Sequence, residues 1–189
     1  MANKLLLHIC CGPCSMYPLA QLIPQYEAEN ITGFYHNPNI HPIEEFVRRK
    51  ENAQLACDHY GIALVTTEDF LQDKWAKYGP EENKLRCRMC YDLRLEYAAK
   101  YAKENGYDAF TTTLLVSLWQ DHDYIIQKCQ QLAEKYGITF HYEDFRLGYR
   151  QGQQMAKDIG LYRQRFCGCM WSAPDEIREK LLANYNGKV

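Results

Sequence analysis

The feature that most constrains this chain is an apolar run at residues 5–9, which is followed directly by Cys10-Cys11-Gly12-Pro13-Cys14. A continuous apolar run without a helical period is typical of a strand in a parallel sheet that is covered on both faces. Because proline has no N–H and a φ suited to the first helical position, a helix is predicted to begin near Pro13. The three thiols are therefore expected at the carboxyl end of a first strand, the edge where open α/β sheets bind ligands.

Apolar runs alternate with helical patterns along the chain. Strands are predicted at 5–9, 31–36, 62–66, 109–115 and 138–141. Helices are predicted at 13–27, 42–60, 68–77 and 121–136, with another from near Cys87 to Gly106 and one within 145–161. A last helix is predicted to open at Ser172, which would cap it. This order predicts an α/β fold in one domain over 1–189, with a five-stranded, mostly parallel, doubly wound sheet and a C-terminal helical segment.

The composition indicates where and how the cysteines act. The chain has nine cysteines in 189 residues and a net charge of −2. We see no signal-peptide pattern, and the apolar run is far too short to span a bilayer, so we expect a cytoplasmic protein without membrane contact. In a reducing compartment, closely spaced cysteines favour metal binding or redox chemistry over stable disulfides. The net charge gives no global sign of nucleic-acid binding but is compatible with a local basic patch.

Two groups of cysteines form a CCxxC…CxxC set. Cys87 and Cys90 are three residues apart at a predicted helix start, so both thiols fall on one face and can join those at 10, 11 and 14. Three interpretations remain open: a structural zinc, an iron–sulfur cluster and a redox disulfide. Neither a P-loop nor a Gly-rich dinucleotide fingerprint follows the first strand, which counts against ATP or NAD as a cofactor.

The remaining cysteines divide into a pair and two single residues. Cys167 and Cys169 flank Gly168 and could form a strained disulfide, join a metal site or simply occupy a tight turn. Cys57 and Cys129 lie on apolar sides of predicted helices, where an ordinary buried cysteine is the better interpretation.

Other polar residues are weaker candidates. His36, His41 and Asp123 could reach the same edge as the thiols, as ligands or proton donors. A basic segment interleaved with aromatic residues suits a single-stranded or loop nucleic acid, although a solvated helix face explains it as well. Its candidate nucleic-acid contacts are Arg146, Arg150, Arg163 and Arg165.

Five stretches together resemble one known family. They are LHICCGPC at 7–14, FYHNPNIHP at 34–42, CRMCYDLRL at 87–95, FTTTL at 110–114 and FCGC at 166–169. These stretches span nearly the whole chain in order and resemble the cobalamin-independent epoxyqueuosine reductases, the QueH family. The resemblance implies a core like that of the adenine-nucleotide hydrolase-like (HUP) group, which includes tRNA-modifying PP-loop enzymes.

The resemblance also implies a cofactor and a reaction. It implies a [4Fe–4S] cluster with a nearby second iron, and removal of the epoxide oxygen from epoxyqueuosine at the wobble base of tRNA to give queuosine. We favour Cys11, Cys87 and Cys90 for the cluster, with Cys10 and Cys14 facing the second iron. The position of Cys14 is Cys in some family members and Asp in others, which leaves the ligands of the second metal open.

Roles for the other candidates follow from this interpretation. Cys167 and Cys169 are predicted to deliver electrons, with a disulfide between them, while His36 and Asp123 are predicted catalytic residues. The expected partners are a tRNA with a queuosine-type wobble base and an unidentified electron donor, and the chain is expected to be a monomer. The rivals are a zinc-stabilised, non-catalytic RNA-binding module and a PP-loop-like tRNA thiolase; the missing glycine-rich pyrophosphate loop argues against the thiolase.

Overall fold

A five-stranded, all-parallel sheet forms the centre of the protein. The computed structural model describes residues 3–186. The strands are β1 (Leu5–His8), β2 (Ile31–Tyr35), β3 (Ala63–Thr66), β4 (Ala109–Thr112) and β5 (Thr139–Phe140). Their order is β3-β2-β1-β4-β5, and every neighbouring pair is parallel. The prediction of a five-stranded doubly wound sheet is confirmed.

Within residues 3–186, seven α-helices connect and follow the strands. They are α1 (Gly12–Tyr26), α2 (Ile43–Tyr60), α3 (Gln72–Ala76), α4 (Asn83–Glu104), α5 (His122–Tyr136), α6 (Tyr149–Asp158) and α7 (Asp175–Asn186). Helix α1 packs against α2 and α6, whereas α4 packs against α5, so helices cover both faces of the sheet. Among residues 3–186, no helix is both long and apolar enough to cross a lipid bilayer.

The central strand β1 explains why the sheet is organised around the apolar run. All four of its side chains are fully buried, as expected for a strand with helices on both faces. The chain leaves β1 for β2 and β3 on one side and returns to β4 on the other. The carboxyl end of β1 is therefore the point where the strand order reverses, the place where open α/β sheets bind ligands.

Three predicted helix starts are wrong. Helix α3 begins at Gln72 rather than at Glu68, because the Leu71 N–H bonds to the Pro38 carbonyl at 3.2 Å and the residues before it stay outside the helix. Helix α4 begins at Asn83, one turn before Cys87, because a 3₁₀ turn at Pro80–Glu82 leads directly into it and the Glu82 carboxylate accepts a hydrogen bond from the Gly79 N–H at 2.7 Å. Ser172 does not cap the last helix. It ends a separate 3₁₀ turn, Met170–Ser172, and α7 begins at Asp175.

Gly12 marks a close approach between α1 and α2. A Cβ added at this position would lie 2.3 Å from the carbonyl oxygen of Asn52. We predict that Gly12→Ala lowers the free energy of unfolding by about 1–3 kcal/mol, because one of two packed backbones must move. Gly79→Ala is the control, since its nearest heavy atom would be 3.7 Å away. Urea unfolding of both variants tests this, and equal midpoints would contradict it.

Candidate metal and redox centre

The loop after β1 brings three thiols together. Ile9 continues the ladder by donating its N–H to the Phe34 carbonyl at 2.8 Å, and α1 starts at Gly12 with Cys11 as its N-cap residue. The Sγ atoms of Cys10, Cys11 and Cys14 all lie within 4.8 Å of one another. This group could hold a metal ion, as the spacing predicted.

The three thiols differ in their tendency to ionise. Hydrogen bonds from the Cys11 and Cys14 thiols hold the pKa of Cys10 well below its usual value, and the Arg94 charge and the Thr113 hydroxyl, 3.2 Å from its sulfur, act in the same direction. Hydrogen bonding to Cys10 raises the pKa of Cys14, while burial raises that of Cys11. A thiol with a lowered pKa beside two further thiols is a set of donors that suits a soft metal.

Helix α4 adds two more thiols. Cys87 is half-buried and Cys90 is buried, and they lie one turn apart on one side of the helix. Burial raises the pKa of Cys90 to about 11, although the Arg94 guanidinium lies only 3.9 Å from its sulfur.

The last pair lies in the segment between α6 and α7. Gly168 has φ 110°, and a Cβ there would meet Ile40 at 2.9 Å and Arg49 at 3.1 Å, so the turn requires glycine. Cys167 is exposed and Cys169 is buried. A hydrogen bond from Cys169 lowers the pKa of Cys167 to about 5, and the Ser172 hydroxyl, 2.9 Å from its sulfur, contributes to this shift.

Seven cysteines line a single cavity. Its volume is about 520 Å³, and its cysteines are Cys10, Cys11, Cys14, Cys87, Cys90, Cys167 and Cys169. The other two, Cys57 and Cys129, are buried in helices away from it, as predicted. All nine cysteines are free thiols, so the predicted disulfide between Cys167 and Cys169 is not supported.

Three buried arginines in the cavity lining were missed by the sequence analysis. Arg49, Arg86 and Arg94 are each less than 5% exposed. Arg49 contacts the Glu45 carboxylate at 2.7 Å, but Arg86 and Arg94 make no salt bridge within residues 3–186. The available signal was spacing, because residues 86 and 94 each lie four residues from Cys90 and so share its side of α4.

Unsatisfied polar atoms also concentrate in this cavity. Within the described part of the chain, six of its lining residues carry a buried side-chain N or O atom without a hydrogen-bond partner. They are Asn39, Trp75, Arg86, Arg94, Gln120 and Gln164. Because buried polar groups are normally paired, this concentration indicates a site for a polar ligand.

The predicted catalytic residues His36 and Asp123 do not line the cavity. His36 is buried, stacks on Tyr97 at 4.0 Å and shares a hydrogen bond with the Thr67 hydroxyl at 2.7 Å. Burial lowers the pKa of His36 to about 4, which leaves the ring neutral at pH 7. Asp123 is exposed in the first turn of α5. His41 is fully buried against Phe70 and also lies outside the lining.

The four predicted nucleic-acid contacts occupy different environments. Arg165 is exposed and lines the cavity. Arg163 and Arg150 are exposed outside the lining, and Arg163 donates from Nε to Gln153, a lining residue, at 3.3 Å. Arg146 forms a bidentate pair with Asp144 at 2.6 and 2.8 Å, which neutralises much of its charge.

Most of the chain is similar to known proteins. A family profile described as "Epoxyqueuosine reductase QueH" matches residues 5–175. A protein of that name from Dehalococcoides mccartyi is 35% identical over 172 residues, which cover 91% of this chain and 93% of that protein. The one from Acinetobacter baylyi is 34% identical, and the match covers 95% of this chain and 85% of that protein. The one from Thermotoga maritima is 30% identical, and the match covers 94% of each chain.

A solved structure gives an independent comparison of the fold. The U34-tRNA thiolase NcsA from Methanococcus maripaludis, determined with its [4Fe-4S] cluster, matches with a TM-score of 0.58 and 16% identity. The match covers 98% of this chain and 66% of the thiolase. At this identity the similarity concerns the fold alone, and it confirms the predicted PP-loop-like core.

Arg49 in α2 holds the segment that carries Cys167 and Cys169 through hydrogen bonds. Its Nη2 donates to the Phe166 carbonyl at 3.0 Å, and its partner Glu45 accepts a hydrogen bond from the Tyr162 hydroxyl at 3.0 Å. We predict that Arg49→Met accelerates amide hydrogen exchange across 162–169, because removing one partner of a buried ion pair costs about 3–5 kcal/mol.

The neighbouring Arg48→Met variant is the control. Arg48 also contacts the segment, over the Tyr162 ring at 4.8 Å, but it is exposed, so its loss should cost much less than the loss of a buried charge. Exchange in 162–169 should stay near the wild-type rate in that variant. Equal exchange in the two variants would show that the ion pair does not hold the segment.

Proposed function

The chain belongs to the epoxyqueuosine reductase QueH family, and we propose that it reduces epoxyqueuosine to queuosine at the wobble nucleotide of tRNA. The observation that carries this proposal is the convergence of seven thiols and several unpaired polar atoms on one cavity at the reversal point of the sheet. A site of this kind suits redox chemistry on a polar substrate.

The reaction sets requirements that the cavity must meet. Conversion of the epoxide to an alkene consumes two electrons and two protons, and the oxygen leaves as water. A wobble nucleotide lies in the anticodon loop, so its base can be splayed out of the RNA and into a pocket at modest cost. The site therefore needs an electron source, a proton source and a surface for single-stranded RNA.

We propose that the cavity holds a [4Fe–4S] cluster on Cys11, Cys87 and Cys90, with Cys10 and Cys14 facing a second iron. Soft thiolate donors suit this group. The three buried guanidinium groups suit it as well, because they would compensate the negative charge of a thiolate-bound cluster. When bound, such a cluster supplies electrons one at a time, and an iron with an open position acts as a Lewis acid.

Cys167 and Cys169 provide a second store of electrons. We propose that oxidation of this pair to a disulfide supplies two electrons and one proton, because the low pKa of Cys167 leaves only Cys169 protonated at neutral pH; a second group supplies the other proton, and an external donor reduces the pair again. A disulfide across one intervening residue is strained and therefore readily reduced. The exposure of Cys167 supports access for such a donor.

His36 and Asp123 remain predicted proton donors. Because neither lines the cavity, proton transfer from either residue requires at least one intervening group. Oxidation of the Cys167 and Cys169 pair would supply one of the two protons, and the other still has to come from such a donor.

The tRNA is proposed to approach the open side of the cavity. Arg146, Arg150, Arg163 and Arg165 are the proposed contacts to anticodon stem-loop phosphates, and Arg165 has the most direct support because it lines the cavity. We further propose that the chain acts as a monomer in the cytoplasm and receives its electrons from an external donor.

A zinc-stabilised RNA-binding module is the alternative from another class. A structural zinc needs four ligands, whereas seven thiols line this cavity. Metal analysis of anaerobically purified protein decides between the two: iron with acid-labile sulfide supports the reductase, and one zinc without sulfide supports the module.

The ligand set can be tested by substituting single thiols. We predict that Cys87→Ala loses iron and sulfide together while the chain stays folded, because a cluster without one protein ligand is released. Cys57→Ala is the control; Cys57 is equally a helical cysteine but lies outside the cavity lining. Full iron retention in Cys87→Ala would rule out this ligand set.

The same measurement separates ligands from the electron-delivering pair. Cys167→Ser and Cys169→Ser should keep normal iron and sulfide but lose turnover of epoxyqueuosine in tRNA. Loss of the cluster in either variant would make that thiol a ligand. Full multiple-turnover activity in both would remove the pair from the mechanism.

The RNA surface can be tested through its salt dependence. We predict that Arg163→Gln/Arg165→Gln weakens stem-loop binding and reduces the slope of log K against log salt by roughly 1.4–1.8, if each arginine contacts one phosphate. The charge-matched control is Lys100→Gln/Lys103→Gln near the end of α4, far along the helix from its cysteines. Equal slopes in the two double variants would contradict the proposed surface.

A further inference from the structure

The loop between β4 and α5 places an exposed aromatic ring at the mouth of the cavity. Trp119 is 76% exposed, yet it lines the cavity together with Tyr149, against which its ring packs edge-to-face at 5.1 Å. A large ring that is mostly in water beside a built cavity is a common feature of base-stacking sites.

The loop is held in place by specific hydrogen bonds. The backbone N–H of Trp119 donates to the Ser117 hydroxyl at 3.3 Å. The backbone N–H of Asp121 donates to the hydroxyl of Tyr91, another lining residue, at 3.4 Å. The Asp121 side chain in turn caps α5 by accepting from the Tyr124 N–H at 3.2 Å. Trp119 is therefore presented by an anchored turn, which lowers the entropic cost of using it to bind a ligand.

The next residue adds an unsatisfied acceptor. Gln120 lines the same cavity, and its buried Oε1 atom has no hydrogen-bond partner within residues 3–186. An unpaired buried carbonyl favours a ligand that brings an N–H or O–H donor. The Trp119 ring and the Gln120 carbonyl oxygen belong to adjacent residues. Together they match two properties of a nucleobase, which has a π-face and an edge with N–H groups.

We infer that Trp119 and Gln120 form a nucleobase subsite, with Trp119 stacking on the wobble base and Gln120 accepting a hydrogen bond from its Watson–Crick edge. This inference rests on the proposed function and extends it to substrate recognition. A guanine-type base offers N–H donors at N1 and at the exocyclic amine. Holding that base at the mouth keeps its substituent arm close to the thiol-lined cavity, where the epoxide must react.

Charge at the mouth agrees with this occupant. Exposed Arg165 lines the cavity, and exposed Arg163 contacts the lining residue Gln153. A phosphodiester backbone that carries the stacked base would meet these cations. An apolar small molecule would not use them.

The test measures RNA binding by the anaerobically purified, full-length protein, separately from turnover. Synthetic anticodon stem-loops carry either guanine or unsubstituted purine at the wobble position; purine stacks equally but has no N–H donor on its edge. We expect Trp119→Ala to lower the affinity for both stem-loops about 5- to 100-fold, whereas Trp119→Phe should keep most of the wild-type affinity. Gln120→Met should lower the affinity for the guanine stem-loop roughly 5- to 20-fold and leave the affinity for the purine stem-loop unchanged.

Fluorescence gives a readout that a purely structural role would not change. Of the three tryptophans, Trp75 is fully buried and Trp171 is half-buried, with its indole N–H bonded to the Trp75 carbonyl at 2.8 Å, whereas Trp119 is mostly exposed. Quenching on binding of the guanine loop should therefore come mainly from Trp119, and it should disappear in Trp119→Phe. Leu118→Ala is the matched control, because Leu118 is 53% exposed in the same turn but does not line the cavity; it should bind as wild type.

The outcomes separate this inference from the proposed function. Unchanged affinity in Trp119→Ala, or an equal loss in Leu118→Ala, would overturn the subsite even if the wild type turns over epoxyqueuosine. Specific binding and quenching that depend on Trp119 and Gln120 would support the subsite even if no epoxide were reduced. A wild type that binds neither loop would overturn the subsite together with the RNA partner.

Discussion

A buried asparagine joins the parts of the protein that carry the thiols. Asn37 is fully buried just after β2; it donates to the Ile9 carbonyl at 2.9 Å, and its Oδ1 accepts from Arg94 Nη2 at 2.7 Å. The first bond fixes the end of β1 beside Cys10, and the second fixes α4 beside Cys90. Without the two Asn37 hydrogen bonds, the distance between the Cys10 sulfur after β1 and the Cys90 sulfur in α4 would not be fixed. The same contact holds the Arg94 guanidinium away from water, where an anionic neighbour would stabilise its charge.

The buried arginines explain why the cavity suits an anionic cofactor better than a neutral one. Removing a guanidinium group from water is expensive unless opposite charge and hydrogen bonds compensate it. Arg49 has Glu45, but Arg86 and Arg94 are surrounded mainly by backbone, amide and thiol groups, and each has an unpaired Nε. Thiolates that bind a cluster would supply the missing negative charge. Burial of these charges costs folding free energy and favours an anionic ligand, a trade-off that is common at functional sites.

Sequence patterns predicted the sheet and the thiol edge because both depend on local rules. A continuous apolar run, a Gly-Pro break and the restriction of parallel sheets to buried positions were sufficient to place Cys10, Cys11 and Cys14. The start of α4 was predicted one turn late, because the polar stretch before Cys87 has no apolar period that would mark it as helical. Arg86 and Arg94 were missed because an arginine on a helix is normally solvent-exposed, and only tertiary packing buries these two. His36 lies outside the cavity lining for a related reason: the strand pattern fixes its position in the chain but not its packing against Tyr97.

The PP-loop-like core accounts for where the chemistry occurs but not for what the chemistry is. Enzymes with such a sheet use the edge at the end of β1, and a glycine-rich loop there would present backbone N–H groups to phosphate. In this chain, the same position carries sulfur atoms, and Gly12 serves a packing role against α2. With thiols in place of N–H donors, this edge offers ligands that could hold a soft metal ion instead of a phosphate. The segment at 162–169 then closes the cavity with a further dithiol, held by Glu45 and Arg49 of α2. Because α2 follows β2 and the closing segment follows α6, the complete site requires most of the chain to fold, which explains why the family resemblance extends over nearly all of the sequence.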